Sequence, residues 1–166
     1  DTVVEKFGRI DILVNNAGAS PAMASVLDAD ERLWDTIMNL NLKGVYFMSQ
    51  ACAKVMKKQG GGKIINIASI DGVNPEPFVS VYSISKAGVR QATRAFAMEL
   101  ARDNIMVNAI LPGPISTKMM NSHWGHLSPE EAQKQREELC KHLPTCRIGE
   151  PDEIAGAAIY LASDAS

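Results

Sequence analysis

Apolar and polar positions along the chain follow two periods. Arg9 to Val14 (Arg-Ile-Asp-Ile-Leu-Val), Lys63 to Ala68 (Lys-Ile-Ile-Asn-Ile-Ala) and Ile105 to Leu111 are short, near-continuous apolar runs. That pattern suits strands buried on both faces. Between the first two runs, Leu33, Ile37, Leu40, Gly44, Met48, Ala51 and Val55 recur at steps of three and four. This predicts one long helix from near Asp30 with a single uninterrupted buried stripe, stopped by Gly60-Gly61-Gly62. Ile84, Gly88, Ala92, Ala95, Phe96 and Leu100 predict a second helix, reaching about Arg102. Asp1 to Gly8 reads as the last turns of a helix closed by a glycine. Ser128-Pro129-Glu130-Glu131 is a capping box with proline at the first helical position, and Pro151 opens a final helix through Ile154, Ala157, Ala158 and Leu161. Strand–helix alternation of this kind predicts an α/β fold, a parallel sheet with helices on both faces joined by right-handed crossovers. Both ends read as cut, so residues 1–166 are expected to be one partial domain.

Composition narrows the classes of function. At 166 residues the chain can bury a real core. A net charge of −2 gives no reason to expect a nucleic-acid or membrane partner. No apolar run approaches the roughly 20 residues that span a bilayer. The three cysteines have no disulfide-framework spacing and read as free thiols in a reducing compartment. The expectation is a soluble, cytoplasmic protein. Cys140, His142 and Cys146 lack a second ligand pair, so no metal is expected.

The chemistry gathers at one edge of the expected sheet. The three strands end in Asn15-Asn16-Ala17-Gly18, in Ser69, and in Pro112-Gly113 running on to Thr117. In an open parallel sheet, ligands bind outside the carboxyl ends of the strands. Tyr82 and Lys86 lie four residues apart at the start of the helix after Ser69, hence one turn apart on one face. An ammonium there is expected to lower the phenol pKa and make it a usable acid/base. Alone, such a pair is an ordinary polar helix face; the convergence of three strand ends lifts it above that. Read singly, Ser69 is also a strand-ending cap, Thr117 a helix N-cap, Asn41 a polar residue beside the stripe, and Asn15 a structural hydrogen-bonder. Met119, Met120 and Trp124 read as an apolar lid or as packing, and His123 and His126 as substrate neighbours or surface residues.

These residues resemble the short-chain dehydrogenases/reductases. The matching landmarks are Asn15-Asn16-Ala17-Gly18, Asn41-Leu42-Lys43-Gly44, Ser69 thirteen residues before Tyr82, Tyr82-x-x-x-Lys86, and Pro112-Gly113 with Thr117 beyond. The resemblance implies a Rossmann-type sheet and NAD(P)-dependent interconversion of a secondary alcohol and a ketone. It assigns Tyr82 as general acid/base, Ser69 to the substrate oxygen, and Lys86 to tuning Tyr82 and binding the nicotinamide ribose. Asn41 holds a relay water, through a backbone carbonyl at a helix irregularity. Asn16, Ala17 and Gly18 line the adenosine side. Ile115 and Thr117 orient the carboxamide, with Pro112 and Gly113 beneath the ring. It also implies a small-molecule carbonyl or alcohol substrate and a homo-oligomer, dimer or tetramer, built on the two long helices.

The match has gaps. The family's glycine-rich phosphate loop and the residue that chooses NAD or NADP are absent, with the strands that carry them and the final strand. Two readings follow: the catalytic segment of a longer oxidoreductase, or a non-catalytic remnant acting as a binding module through an exposed sheet edge. Residues 71–79 and 119–127 are expected to shape the substrate pocket without naming its occupant.

Overall fold

A computed structural model describes residues 2–166. The element order is α1 (Thr2–Phe7), β1 (Ile12–Asn15), α2 (Glu31–Met38), a π-helical segment (Asn39–Gly44), α3 (Val45–Gln59), β2 (Gly62–Ile67), α4 (Ser80–Leu100), β3 (Ile105–Ile110), α5 (Lys118–Ser122), α6 (Pro129–His142) and α7 (Pro151–Ala162). The three strands form one parallel sheet in the order β1-β2-β3, with Asn15 level with Asn66 and Asn66 level with Ala109. α3 and α4 cover one face; α7 packs on β2 and β3. This is the expected incomplete Rossmann-type architecture. Asp1, where the first helix was expected to begin, lies outside the described residues.

Period 2 decides which strand residues meet which layer. Ile64 joins Cys52, Ala53 and Met56 of α3 and Ile105 and Val107 of β3 in the main core cluster, with Leu13 packed against it. On the alternate face, Lys63 donates to the carbonyls of Ser163 and Ser166 just past α7. Ile12 and Val14 share that face but lie beyond α7 and stay exposed, so β1 is buried on one side only. β1 also starts later than its apolar run suggests. Gln59 accepts from the Ile10 amide at 3.1 Å and donates to the Ile10 carbonyl at 2.6 Å, so a side chain takes the place of a ladder partner there.

The uninterrupted stripe is the main correction. Leu40 is 42% exposed and Met48 53% exposed, whereas Asn41, Val45, Ser49, Cys52 and Met56 are buried. Every position after Ile37 is displaced by one residue from the expectation. The π turn at Asn39–Gly44 is the cause: its i→i+5 hydrogen bonds add one residue to the turn and rotate everything downstream. Trp34, Tyr46 and Phe47, exposed beside this turn, line a surface groove with Leu42 and with Gly88, Ala92 and Ala95 of α4. α4 itself buries Val81, Ser85, Lys86, Val89 and Thr93, and leaves Ile84 of its expected stripe exposed. The capping box at Ser128 and Glu131 forms as expected.

Candidate active site

The carboxyl ends of the strands open into a cavity of about 400 Å³. Its walls include Asn16 and Gly18 after β1, Ser69 after β2, Pro112, Gly113, Ile115 and Thr117 after β3, and Tyr82 and Lys86 from α4. Of the catalytic and cofactor-binding residues expected from sequence, only Ala17 and Asn41 do not line it. Ala17 is exposed on its loop. Asn41 is fully buried behind the wall, as a scaffold for it.

Asn41 lies within the π turn. Its Oδ1 accepts from the Ala19 amide at 2.8 Å, and its Nδ2 donates to the Ala19 carbonyl at 2.9 Å and to Ser85 Oγ at 3.2 Å. Ser85 Oγ in turn donates to the Tyr82 carbonyl at 2.7 Å. One side chain therefore ties the loop after β1 to the first turn of α4. Gly18 sits beside both groups: a Cβ there would lie 3.4 Å from Lys86 Nζ and 3.5 Å from Asn41 Oδ1, ordinary contact distances.

Ser69 is set by the turn that follows β2. Its Oγ accepts from the Asp71 amide at 3.1 Å, so the cap role read from sequence is real. Gly72 then presses the turn onto α4, where a Cβ would come within 2.7 Å of the Lys86 carbonyl carbon and 2.8 Å of the Ala87 nitrogen. Arg90 donates to the Gly72 carbonyl at 3.2 Å and holds the contact. Ser69 is thereby brought to the Tyr82 phenol. Thr117 caps α5 by accepting from the Met120 amide, and it lines the cavity as well.

The electrostatics depart from the sequence expectation. Lys86 is 4% exposed; its Nζ lies 5.7 Å from the Tyr82 ring centroid and donates to the Ile67 carbonyl at 2.7 Å. Burial lowers the Lys86 ammonium to about 8. The Tyr82 phenol is not lowered but raised: burial dominates, a hydrogen bond with Ser69 draws it back, and the Asp71 charge adds to the rise. Asp71 is raised in turn by burial and then by Glu76, against a hydrogen bond with Ser69.

A family model described as enoyl-(acyl carrier protein) reductase matches residues 1–166. Dehydrogenase/reductase SDR family member 4 of Caenorhabditis elegans is 39% identical over the whole chain, and 2-dehydro-3-deoxy-D-gluconate 5-dehydrogenase of Escherichia coli is 45% identical. The chain belongs to the short-chain dehydrogenase/reductase family. It spans 63% of the length of each of those relatives. Among solved structures, levodione reductase superposes with a TM-score of 0.94 at 36% identity, covering 99% of this chain and 64% of that one. A gluconate 5-dehydrogenase from Burkholderia cenocepacia, solved with NADP and tartrate, gives 0.91 at 37% identity, covering 100% of this chain and 62% of that one.

Within this member of the family, the two segments expected to shape the pocket contribute Asp71, Glu76 and Val79, and Met119, Met120 and His123. Trp124 does not join the methionines; it stacks under the Arg136 guanidinium, 5.0 Å from its ring centroid. His126 is likewise outside the cavity. Met23, Leu139, Pro151 and Ile154 complete the wall and were not foreseen. Met23 lies on the loop after β1, Leu139 on α6, and Pro151 and Ile154 on α7, and no local pattern at these positions marks a ligand. No helix among the described residues is long and apolar enough to cross a membrane.

Proposed function

We propose that this chain carries the catalytic half of an NAD(P)-dependent oxidoreductase interconverting a secondary alcohol and a ketone. The observation that carries the proposal is the meeting of Ser69, Tyr82 and Lys86 in one largely apolar cavity at the strand ends. Family membership supports the reaction class. The nicotinamide cofactor, when bound, supplies or accepts the hydride.

The residues at hand suit that cofactor. Gly18 lines the cavity with no side chain of its own, which leaves backbone open to a ligand. Asn16, Ala17 and Gly18 would hold the adenosine side, and Pro112, Gly113, Ile115 and Thr117 the nicotinamide side. Tyr82 and Lys86 would bind the ribose between them. During reduction Tyr82 gives its proton to the substrate oxygen; during oxidation it takes that proton back. A raised phenol pKa keeps the donor form populated at neutral pH. Ser69 donates to the same substrate oxygen and holds it at the phenol. The Lys86 ammonium stabilises the phenolate and passes a proton inward. Both ends of the Asn41 side chain are engaged, so the relay water belongs to a backbone carbonyl of the π turn.

The test is turnover by the full encoded protein on a panel of ketones and alcohols with each nicotinamide nucleotide. Tyr82→Phe should cut turnover about a hundred- to ten-thousand-fold while nucleotide binding persists. Full turnover in that variant removes Tyr82 from its role. A wild-type protein that binds neither nucleotide is instead a binding module, a reading favoured by the exposed Ile12 and Val14 of β1. The groove between Trp34, Phe47 and Ala92 is proposed as the contact with a second copy, giving the dimer or tetramer.

A further inference from the structure

Resting on the oxidoreductase reading, we propose a substrate class for the cavity. It takes an uncharged or cationic carbonyl or alcohol compound bearing hydrogen-bond donors away from the reacting carbon. Asp71 and Glu76 hold those donors, Ser20 contributes a hydroxyl, and carboxylate-bearing substrates are rejected.

The argument begins with charge. Asp71 and Glu76 both line the cavity, and neither has an ion-pair partner among the described residues. Asp71 is anchored beside the reacting corner because its amide donates to Ser69 Oγ. It is close enough for its charge to be felt at Tyr82. Among the described residues the wall offers no arginine and one lysine, Lys86, which already donates to the Ile67 carbonyl. Arg90, one turn further along α4, is turned to the Gly72 carbonyl and is not in the wall. A carboxylate entering this space meets two like charges and no free guanidinium. Unpaired charges of that sign discriminate between ligands of the same shape.

The second observation is independent of the acids. Ser20, on the loop after β1, is 6% exposed, lines the cavity, and has no hydrogen-bond partner for its Oγ among the described residues. A buried hydroxyl left unpaired is costly, and a ligand hydroxyl would satisfy it. His123, also in the wall, has a buried Nε2 with no partner among the described residues. Between these polar points the surface is mainly apolar, with the soft side chains of Met23, Met119 and Met120. A carbon ring or short chain with a donor at its far end fits both parts. One relative is named for a sugar acid, 2-dehydro-3-deoxy-D-gluconate; this cavity is charged against such a ligand.

The test uses the full encoded protein and three cyclohexanones that differ only in the group opposite the carbonyl: hydroxyl, ammonium or carboxylate. Dissociation constants are measured by calorimetry, and hydride transfer with each nicotinamide nucleotide is followed separately. The hydroxyl and ammonium ketones should bind at least about tenfold tighter than the carboxylate. In the Asp71→Asn, Glu76→Gln double variant the gap should shrink to about twofold. Ser20→Ala should weaken the hydroxyl ketone several-fold and leave the ammonium-to-carboxylate ratio unchanged. The proposal is overturned if the carboxylate ketone binds as tightly as the others, if the gap survives in the double variant, or if none of the three binds. A preserved binding order without hydride transfer would support the ligand class and refute the oxidoreductase reading.

Discussion

At the Tyr82 phenol, burial and the Asp71 carboxylate act in one direction, upward, and Ser69 acts against them. Removing the charge at Asp71 should therefore lower the phenol pKa. In alcohol oxidation, which needs the base form, the acid limb of the kcat/KM profile of Asp71→Asn should move to lower pH; an unmoved limb would separate Asp71 from Tyr82. Lys86 offers a check on stability. Its folded value of about 8 lies below the ordinary 10.5, so between those pH values the unfolded chain holds more protons and stability rises with pH. Below about pH 8 the burial cost is fully present, and it is gone above 10.5. Denaturant unfolding should show an increase on the order of 3 kcal/mol across the window, lost in Lys86→Met. The residues were legible because Tyr-x-x-x-Lys and the strand-end clusters sit at fixed spacings. The direction of the Tyr82 shift was not, because it depends on how deeply the Ser69–Gly72 turn seats against α4, and no local pattern records that depth.

At the scale of elements, the strands, the capping box and the order of helices could be read from periodicity. The face presented by α3 could not. A π turn adds one residue without changing composition, so Met48 looks like core and Met56 does not, whereas the reverse holds. Two identical substitutions on one helix test this. Met56→Ala should cost about 2–5 kcal/mol in equilibrium unfolding, and Met48→Ala about 0.5 kcal/mol or less. Equal costs would restore the uninterrupted helix. Gly72 tests the seat of the Ser69 turn. Gly72→Ala forces a methyl group into the backbone of Lys86 and Ala87, and should destabilise by about 1–3 kcal/mol while raising KM through the displaced Ser69. An unaltered KM and stability would show that the turn yields freely.

For the whole molecule, the π turn has two outcomes on opposite sides of one helix. Inward, it buries Asn41 where it can bind both Ala19 and Ser85. Outward, it exposes Tyr46 and Phe47 beside α4, with Tyr46 packed edge-on to Phe96 at 5.1 Å between centroids. If that groove is the contact between copies, Phe47→Asp should shift sedimentation of the protein toward monomer without lowering the unfolding temperature of the isolated fold. A wild-type protein that sediments as a monomer at every concentration would reject the contact.

The asparagines at the centre of the sheet carry one further consequence. Asn15 Nδ2 donates to Ser49 Oγ at 2.9 Å and to Asn66 Oδ1 at 2.8 Å, and Asn66 Nδ2 donates to Thr93 Oγ1 at 2.8 Å. Asn15 and Asn66 are also register partners. Parallel strands as uniformly aliphatic as these could slip by two residues while each side chain keeps its face and most of the apolar packing survives. Such a slip would strand two buried carboxamides in a dry layer, each with donors and acceptors facing hydrocarbon. The polar chain thus acts as a lock against misaligned pairing, and it sets how far each strand end reaches toward the cavity.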